Sequence, residues 1–431
     1  MRSAFSAVVG GVVLAVVVSI AVPEAGYVAA GLALIALLLG LPLVRRTHLL
    51  IGLLLIGVGL VTGTAALLLG FEIVPLELLS LNQDIIGMLG GVAFLGFIAR
   101  TVGEVRPRLR GAPAVWRTAL VTHLLGSVIN LSAITVVGDH LRRSGPLRAA
   151  DAMLVTRSFA AAGFWSPFWA GSALALAFAP GANLGLVVAV GAPLAAIVVA
   201  TTMPTVLRSL GDGLPEYRGY ALSWQLLRIP LALLLLVLAL HLALPEVPMP
   251  RLIAAGAITV MLVATLLREP ARFGANVAAE IRTVLPNLTG EVVLFVSAGI
   301  MALGLSALLG TLRFALPVAE YSVPLAWAGV LVMALLVIVG VHPVITIGLI
   351  GSLVVPLHPD PTLFVAAVMI GWAAAAATGP LNGLQMYMQS RYGVSGLSTT
   401  RRNLPYLAAA LLLGLPALYL VAWLSGLLAT G

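Results

Sequence analysis

Apolar runs long enough to cross a lipid bilayer recur from one end of this chain to the other. A hydrocarbon layer of about 30 Å takes about 20 residues of helix, and runs of about 18 to 25 residues follow one another here with short polar interruptions. Charged residues fill 9% of the 431 positions and hydrophobic ones 61%, against roughly 25% charged in a soluble domain. In lipid every backbone N–H and C=O must be satisfied within the protein, which leaves helices and closed barrels. The runs are too long for barrel strands, so the chain is predicted to be an all-α, polytopic membrane protein.

Composition removes several function classes. The net charge of +8 rests on arginine alone, with no lysine in the chain. No basic stretch is interleaved with aromatics in a polar segment, so no nucleic-acid partner is expected and the positive balance reads as topology. Without lysine there is no Gly-x-x-x-x-Gly-Lys-Ser/Thr, and the polypeptide hydrolyses no ATP through a P-loop. Cysteine is absent, which excludes disulfides, thiolate metal sites and cysteine nucleophiles. No cofactor is expected, and no enzyme. Intramembrane acids are scarce, the polar loops are short, and no His-Glu-x-x-His or paired-carboxylate motif occurs, so an integral-membrane glycosyltransferase or polymerase is the weakest reading.

By apolar length the spans fall at 5–22, 26–44, 49–70, 78–98, 149–179, 181–203, 229–245, 252–267, 291–311, 361–390 and 404–427. The first is read as a span and not a signal peptide, because the run after Met1-Arg2 reaches Val22 with no small-x-small cleavage site behind it. Two apolar stretches, 113–141 and 323–357, remain. With the N-terminus inside, Arg45, Arg46, Arg100, Arg106, Arg108, Arg110 and Arg117 are cytoplasmic, while Glu24, Glu72 and Glu77 lie outside. A single crossing by 113–141 would place Arg142, Arg143 and Arg148 outside and invert every later arginine loop. If the stretch enters, turns at Gly126-Ser127-Val128-Ile129-Asn130 and returns, the arginines stay inside. Treating 323–357 likewise, from the opposite face and turning at Gly340-Val341-His342-Pro343, keeps Arg391, Arg401 and Arg402 cytoplasmic. The expected architecture is about 11 transmembrane helices plus two re-entrant hairpins, in the bacterial inner membrane, N-terminus cytoplasmic and C-terminus periplasmic.

The chain also repeats itself. Gly126 to Leu131 precedes Ala160-Ala161-Ala162-Gly163-Phe164-Trp165-Ser166-Pro167 by about as much as Gly340 to Ile345 precedes Ala374-Ala375-Ala376-Ala377-Thr378-Gly379-Pro380. The two pairs are offset by about 214 and about 213 residues, and the arginine pattern orients the two copies oppositely. The predicted organisation is a leading helix over 1–24, a first repeat over 25–210 and a second over 211–431. Each repeat carries a hairpin (about 113–141, about 323–357) and a broken helix (149–179, 361–390). A proline in mid-span removes a backbone hydrogen bond. In lipid such a break survives where it faces protein, water, an ion or a solute, and a matched pair in two repeats points to a binding site. Pro167, Pro380, Gly163 and Gly379 are the predicted helix breaks.

This arrangement resembles the ion-transporter superfamily, which includes divalent-anion/sodium symporters, arsenite-pump-like permeases and the large membrane subunit of TRAP transporters. The resemblance covers nearly the whole chain: one leading helix, then two inverted five-helix repeats. It implies that hairpin tips and helix breaks form solute and cation sites on a domain that moves as an elevator. The symporters carry Ser-Asn-Thr at both tips; here the first reads Ile129-Asn130-Leu131-Ser132 and the second His342-Pro343. The resemblance therefore extends to the architecture and names no solute.

Candidate ligands follow from position. Asn130 offers an amide oxygen at the first tip, suited to a donor or to Na+, with Ser132 beside it. His342 is a titratable group deep in the second stretch, where such groups are costly and often functional. Ser166 at one break, and Thr378, Asn382 and Gln385 at the other, are expected beside half-helix N-termini that favour an anion. Arg157, two turns into its span, can pair with an anionic solute, Asp151 or Asp139, or snorkel to the surface.

The sequence thus predicts a secondary active transporter of elevator type that moves a small anionic solute, with Na+ or H+ coupling and no other cofactor. Its partners would be the solute and the lipid bilayer; a homodimer, and a binding protein or other accessory subunit as in a TRAP-like system, stay open. In this cysteine-free chain, Leu141→Cys and Leu357→Cys are expected to label from opposite faces of the membrane. Labelling from one face would exclude the inverted arrangement.

Overall fold

A computed structural model describes residues 1–71, 82–100, 109–142, 145–222, 224–314 and 316–428. Glu72, Glu77, Arg106, Arg108 and Arg143, and positions 78–81 of the fourth predicted span, lie outside the described residues. Among the described residues every regular element is helical. Seven helical stretches are long and apolar enough to cross a membrane, and further apolar helices are shorter. The protein is a polytopic, all-helical membrane protein.

The helices, in chain order, are α1 Arg2–Val18, α2 Ala25–Gly40, α3 Arg46–Leu68, α4 Gln83–Arg100, α5 Ala112–Ile129, α6 Ser132–Arg142, α7 Ala149–Ala161, α8 Ala170–Phe178 and α9 Leu184–Leu210. The second half holds α10 Trp224–Ala243, α11 Met249–Arg268, α12 Phe273–Val284, α13 Thr289–Thr311, α14 Val323–Ile338, α15 Pro343–Val354, α16 Pro361–Thr378, α17 Gly383–Tyr392 and α18 Gly396–Leu424. They divide between two compact units. Unit 1 is Met1–Ile98, Leu231–Ala319 and Ile347–His358; unit 2 is Ala99–Pro230, Glu320–Thr346 and Pro359–Gly431. Each unit therefore draws on both halves of the sequence.

In unit 1 the tightest crossing is α3 on α13. Gly59 and Gly304 let the two backbones meet: a Cβ on Gly59 would overlap the Ile300 carbonyl, and one on Gly304 would overlap the Gly59 carbonyl oxygen. Without a hydrophobic force between helices in lipid, close van der Waals approach of this kind is what holds them. α1 lines the same core with Phe5, Val9, Val12, Val13 and Val16, all buried. Asp84 at the head of α4 pairs with Arg251 at 2.8 Å, and Asn82 donates to the Phe295 carbonyl at 2.9 Å. Most of the charged residues between positions 268 and 289 fall on or beside α12, a short helix with one apolar face that buries Val284.

Unit 2 contains α5 to α9, α14 and α16 to α18. The stretch over 113–141 is a helix–turn–helix whose two far ends meet one segment. Near the start of α5, Gly111 N–H donates to the Tyr217 carbonyl at 2.8 Å, and Thr118 Oγ1 accepts from Tyr220 N–H at 2.8 Å. At the end of α6, His140 Nε2 lies 3.2 Å from the Gly219 carbonyl. Helix α5 runs on to Ile129, further than the sequence pattern suggested, and the chain reverses at Asn130, whose φ of 50° is one that asparagine tolerates better than most side chains. The second stretch turns at Gly340, with φ of 97°, where Val341 N–H reaches the Leu336 carbonyl and Gly340 N–H the Val337 carbonyl. α14 belongs to unit 2, and α15 continues from unit 2 into unit 1 at Ile347.

Gly304→Val is expected to cost about 1–3 kcal/mol or more through overpacking at the α3–α13 crossing. Gly63→Ala, whose added methyl would meet only an ordinary 3.6 Å contact, should leave the thermal midpoint of the purified protein nearly unchanged.

Candidate functional site

All of the candidate residues lie in unit 2, and the break in α16 shows how they are used. A helix leaves its last four carbonyls without intrahelical partners. In α16 Gly379 N–H still reaches the Ala375 carbonyl at 2.8 Å, which leaves those of Ala376, Ala377 and Thr378, and all four residues are buried. Asn382 Nδ2 donates to Ala375 at 2.8 Å and Ala376 at 2.9 Å. Ala377 accepts from Gln385 Nε2 at 3.0 Å and from Asn403 Nδ2 at 2.8 Å, and Thr378 accepts from Thr400 Oγ1 at 2.7 Å. Asn382 also caps α17, its Oδ1 accepting from Gln385 N–H at 2.9 Å. The break at 379–382, which holds Gly379 and Pro380, is thus closed by amide and hydroxyl side chains. Gln385 Oε1 is the exception, a buried oxygen without a hydrogen-bond partner among the described residues.

The first interrupted helix runs as α7, a 3-10 turn over Ala162–Phe164, an irregular stretch holding Ser166 and Pro167, and then α8. Here the side chains of the break serve the end of α5. Ser166 Oγ donates to the Ser127 carbonyl, and Trp169 Nε1 donates to the Gly126 carbonyl at 2.8 Å. Ser166 Oγ also accepts from Phe168 N–H at 3.2 Å. Trp165 Nε1 donates to His123 Nε2 at 3.0 Å, which places the His123 proton on Nδ1, 3.1 Å from the Ser158 carbonyl. This break packs on the middle of α16. A Cβ on Gly163 would stand 3.3 Å from Ala373 Cβ, and one on Gly171 would overlap the Trp372 indole. α8 starts without a side-chain cap.

Arg157 joins the elements. It is 2% exposed, so it does not snorkel, and neither expected carboxylate reaches it. Asp151 holds Arg148 at 2.9 Å, and Asp139 holds Arg391 at 2.5 Å. Instead its five N–H groups meet neutral acceptors. Nε donates to Asn403 Oδ1 at 2.9 Å, one terminal nitrogen to the Thr202 carbonyl at 2.9 Å and Thr205 Oγ1 at 2.6 Å, and the other to the Arg402 carbonyl at 2.6 Å and Met153 Sδ at 3.5 Å. α7, α9 and α18 are held together by one guanidinium. At the head of α7, outside the span, the Asp151 carboxylate raises the Arg148 guanidinium above its ordinary value, and burial raises the Tyr217 phenol beside it.

The structure brings Thr378, Asn382 and Gln385 together with Arg157 through Asn403. Thr378 Oγ1 turns back to the Ala374 carbonyl at 2.8 Å. Asn130 and Ser132 are half-buried at the α5–α6 turn and form no side-chain hydrogen bond to a described residue. His342, 7% exposed, precedes α15 and accepts from Val344 N–H through Nδ1 at 3.3 Å. Among the described residues no group of three or more His, Asp or Glu side chains is placed to hold a metal ion.

Sequence reasoning missed Asn403 and Thr400. Polar residues from Ser395 to Asn403 depress hydropathy, so the last span was begun at 404, whereas α18 starts at Gly396 behind a Ser395 cap. The one available signal was an Asn and a Thr within a turn of an apolar helix, in a chain where such groups need partners.

No protein-family model matches the sequence, and no curated protein does. Among solved structures the fold is similar to that of the Alcanivorax borkumensis YdaH transporter, with a TM-score of 0.54 and 15% identity over 88% of this chain and 98% of that one. At that identity the likeness is one of fold.

Asn403→Leu would strip the Arg157 Nε–H of its acceptor and Ala377 of a donor. A destabilisation of about 2–4 kcal/mol is expected, read as a lower thermal midpoint, against about 1 kcal/mol or less for Thr205→Ser, which keeps its acceptor oxygen.

Proposed function

We propose that the protein is a secondary active transporter, which moves a small anionic solute across the bacterial inner membrane by an elevator-type change of access driven by a cation gradient. The observation that carries this reading is the construction of unit 2. Two interrupted helices lie in one compact body, braced across the two halves of the sequence by Arg157 with Asn403, Asp139 with Arg391, Thr135 with Tyr387, and the Thr362 hydroxyl with Asn183 N–H. A body tied in this way can carry a site as one piece, and unit 1 would supply the stationary part. The likeness in fold to a transporter supports the same reading.

In this proposal 25–210 and 211–431 are inverted repeats, each contributing to both units. The solute sits between the α7–α8 and α16–α17 breaks, where α8 begins uncapped and the positive end of its dipole favours an anion. Gln385 Oε1 and the side chains of Asn130 and Ser132 are among the atoms open to a solute donor or cation, Asn130 being the place for Na+. His342, seated at the second turn, is the candidate for H+ coupling.

Uptake into proteoliposomes across a panel of organic and inorganic anions, with Na+ and H+ gradients imposed separately, tests the proposal. One of the anions is expected to accumulate with one of the gradients, and Asn382→Ala should lower its uptake about tenfold or more, a loss of about 1.4 kcal/mol. No flux for any anion, or flux only after a binding protein or other subunit is added, would overturn the stand-alone reading.

A further inference from the structure

We infer that Arg157 is a tethered cation standing in for an exchangeable metal ion beside the α16 break, so that unit 2 takes its anionic solute there without loading Na+ at that place. The inference rests on the transporter reading and narrows it, because a coupling Na+ is then left to the Asn130 turn, or the coupling ion is H+.

The carbonyls of Ala376, Ala377 and Thr378 end α16 without a helical partner and carry the negative end of its dipole. Unwound carbonyls and helix C-termini of this kind coordinate cations in broken transmembrane helices. Here all three are taken by neutral donors from Asn382, Gln385, Asn403 and Thr400, and the positive charge stands one side chain further back. Asn403 bridges the two. Its Oδ1 accepts from Arg157 Nε at 2.9 Å and its Nδ2 donates to the Ala377 carbonyl at 2.8 Å, so each bond polarises the other.

A guanidinium stays protonated under all working conditions. Arg157 is therefore charged whether the site is loaded or empty, as a bound metal ion would not be. Burying an unpaired charge is costly even after relaxation, and among the described residues no carboxylate forms an ion pair with it. Its five N–H groups are spent on protein acceptors, which leaves none for the solute. Arg157 acts as a positioning residue, through its field, and the solute is the counter-charge that no described carboxylate supplies to it.

Thermal unfolding of the full-length protein in NaCl, KCl and choline chloride at equal ionic strength tests this without any solute, so a failure of uptake in liposomes leaves the result intact. For the wild type the midpoint is expected to be the same in all three salts, or to show a Na+ increment that Gln385→Leu leaves untouched. Arg157→Gln is expected to melt several degrees lower and to recover in guanidinium at millimolar concentration or in Na+, while Arg157→Lys shows no new Na+ response. A Na+-specific increment in the wild type that Gln385→Leu abolishes would overturn the inference. So would a Gln variant as stable as the wild type, or a Lys variant with the same Na+ response as the Gln variant. If Arg157→Gln does not fold, the wild type, Gln385→Leu and Arg157→Lys decide the matter.

Discussion

A carbonyl released from a helix inside hydrocarbon has no water to turn to, and in this protein the arrangement of unit 2 follows from that fact. α16 stops at Thr378 and leaves three buried carbonyls without a helical partner. Asn382, Gln385, Asn403 and Thr400 converge on them from α17 and α18. The same need recurs at the end of α5, where Ser166 and Trp169 reach back to the Ser127 and Gly126 carbonyls. The polar side chains that a soluble protein would spend on its surface are spent here on backbone ends.

These bonds also knit distant stretches of sequence. Arg157 and Asn403 are separated by 246 positions and Asp139 and Arg391 by 252, yet both pairs are in direct contact within one unit. In both pairs the donor is ionised, which makes these hydrogen bonds stronger than neutral ones. Unit 1 adds the glycine-to-backbone crossing of α3 with α13, and unit 2 uses the same device where Gly191 meets the Phe164 carbonyl.

Arg157 illustrates the limit of reasoning from single residues. A basic side chain two turns inside a span suggests snorkelling or a carboxylate partner, and either is reasonable for an isolated helix. The acceptors it finds are two carbonyls, a hydroxyl, an amide oxygen and a thioether on three helices. None carries a charge or a sequence signature. Asp151 and Asp139, the acids that looked available, are held by Arg148 and Arg391 at the ends of the helices, where the pairs reach solvent.

Apolar length, the near-absence of charge and the placing of proline and glycine were enough to determine the helical class, the approximate spans, the reversal within 113–141 and the interruptions near Pro167 and Pro380. Each follows from a local rule: how many residues cross a bilayer, or what a missing N–H does to a helix. The tertiary structure alone decided which side chains answer the broken backbone and where the buried charge is balanced. Asn403 was hidden because the polar turn that carries it lowers hydropathy, and its partners are brought near only by packing. Asn382 and Gln385 were visible as residues beside a helix start, but their amide hydrogens turn to the orphan carbonyls of the preceding helix end. Local geometry is written in neighbouring residues, whereas the satisfaction of a buried polar group depends on whatever the fold brings within 3 Å of it.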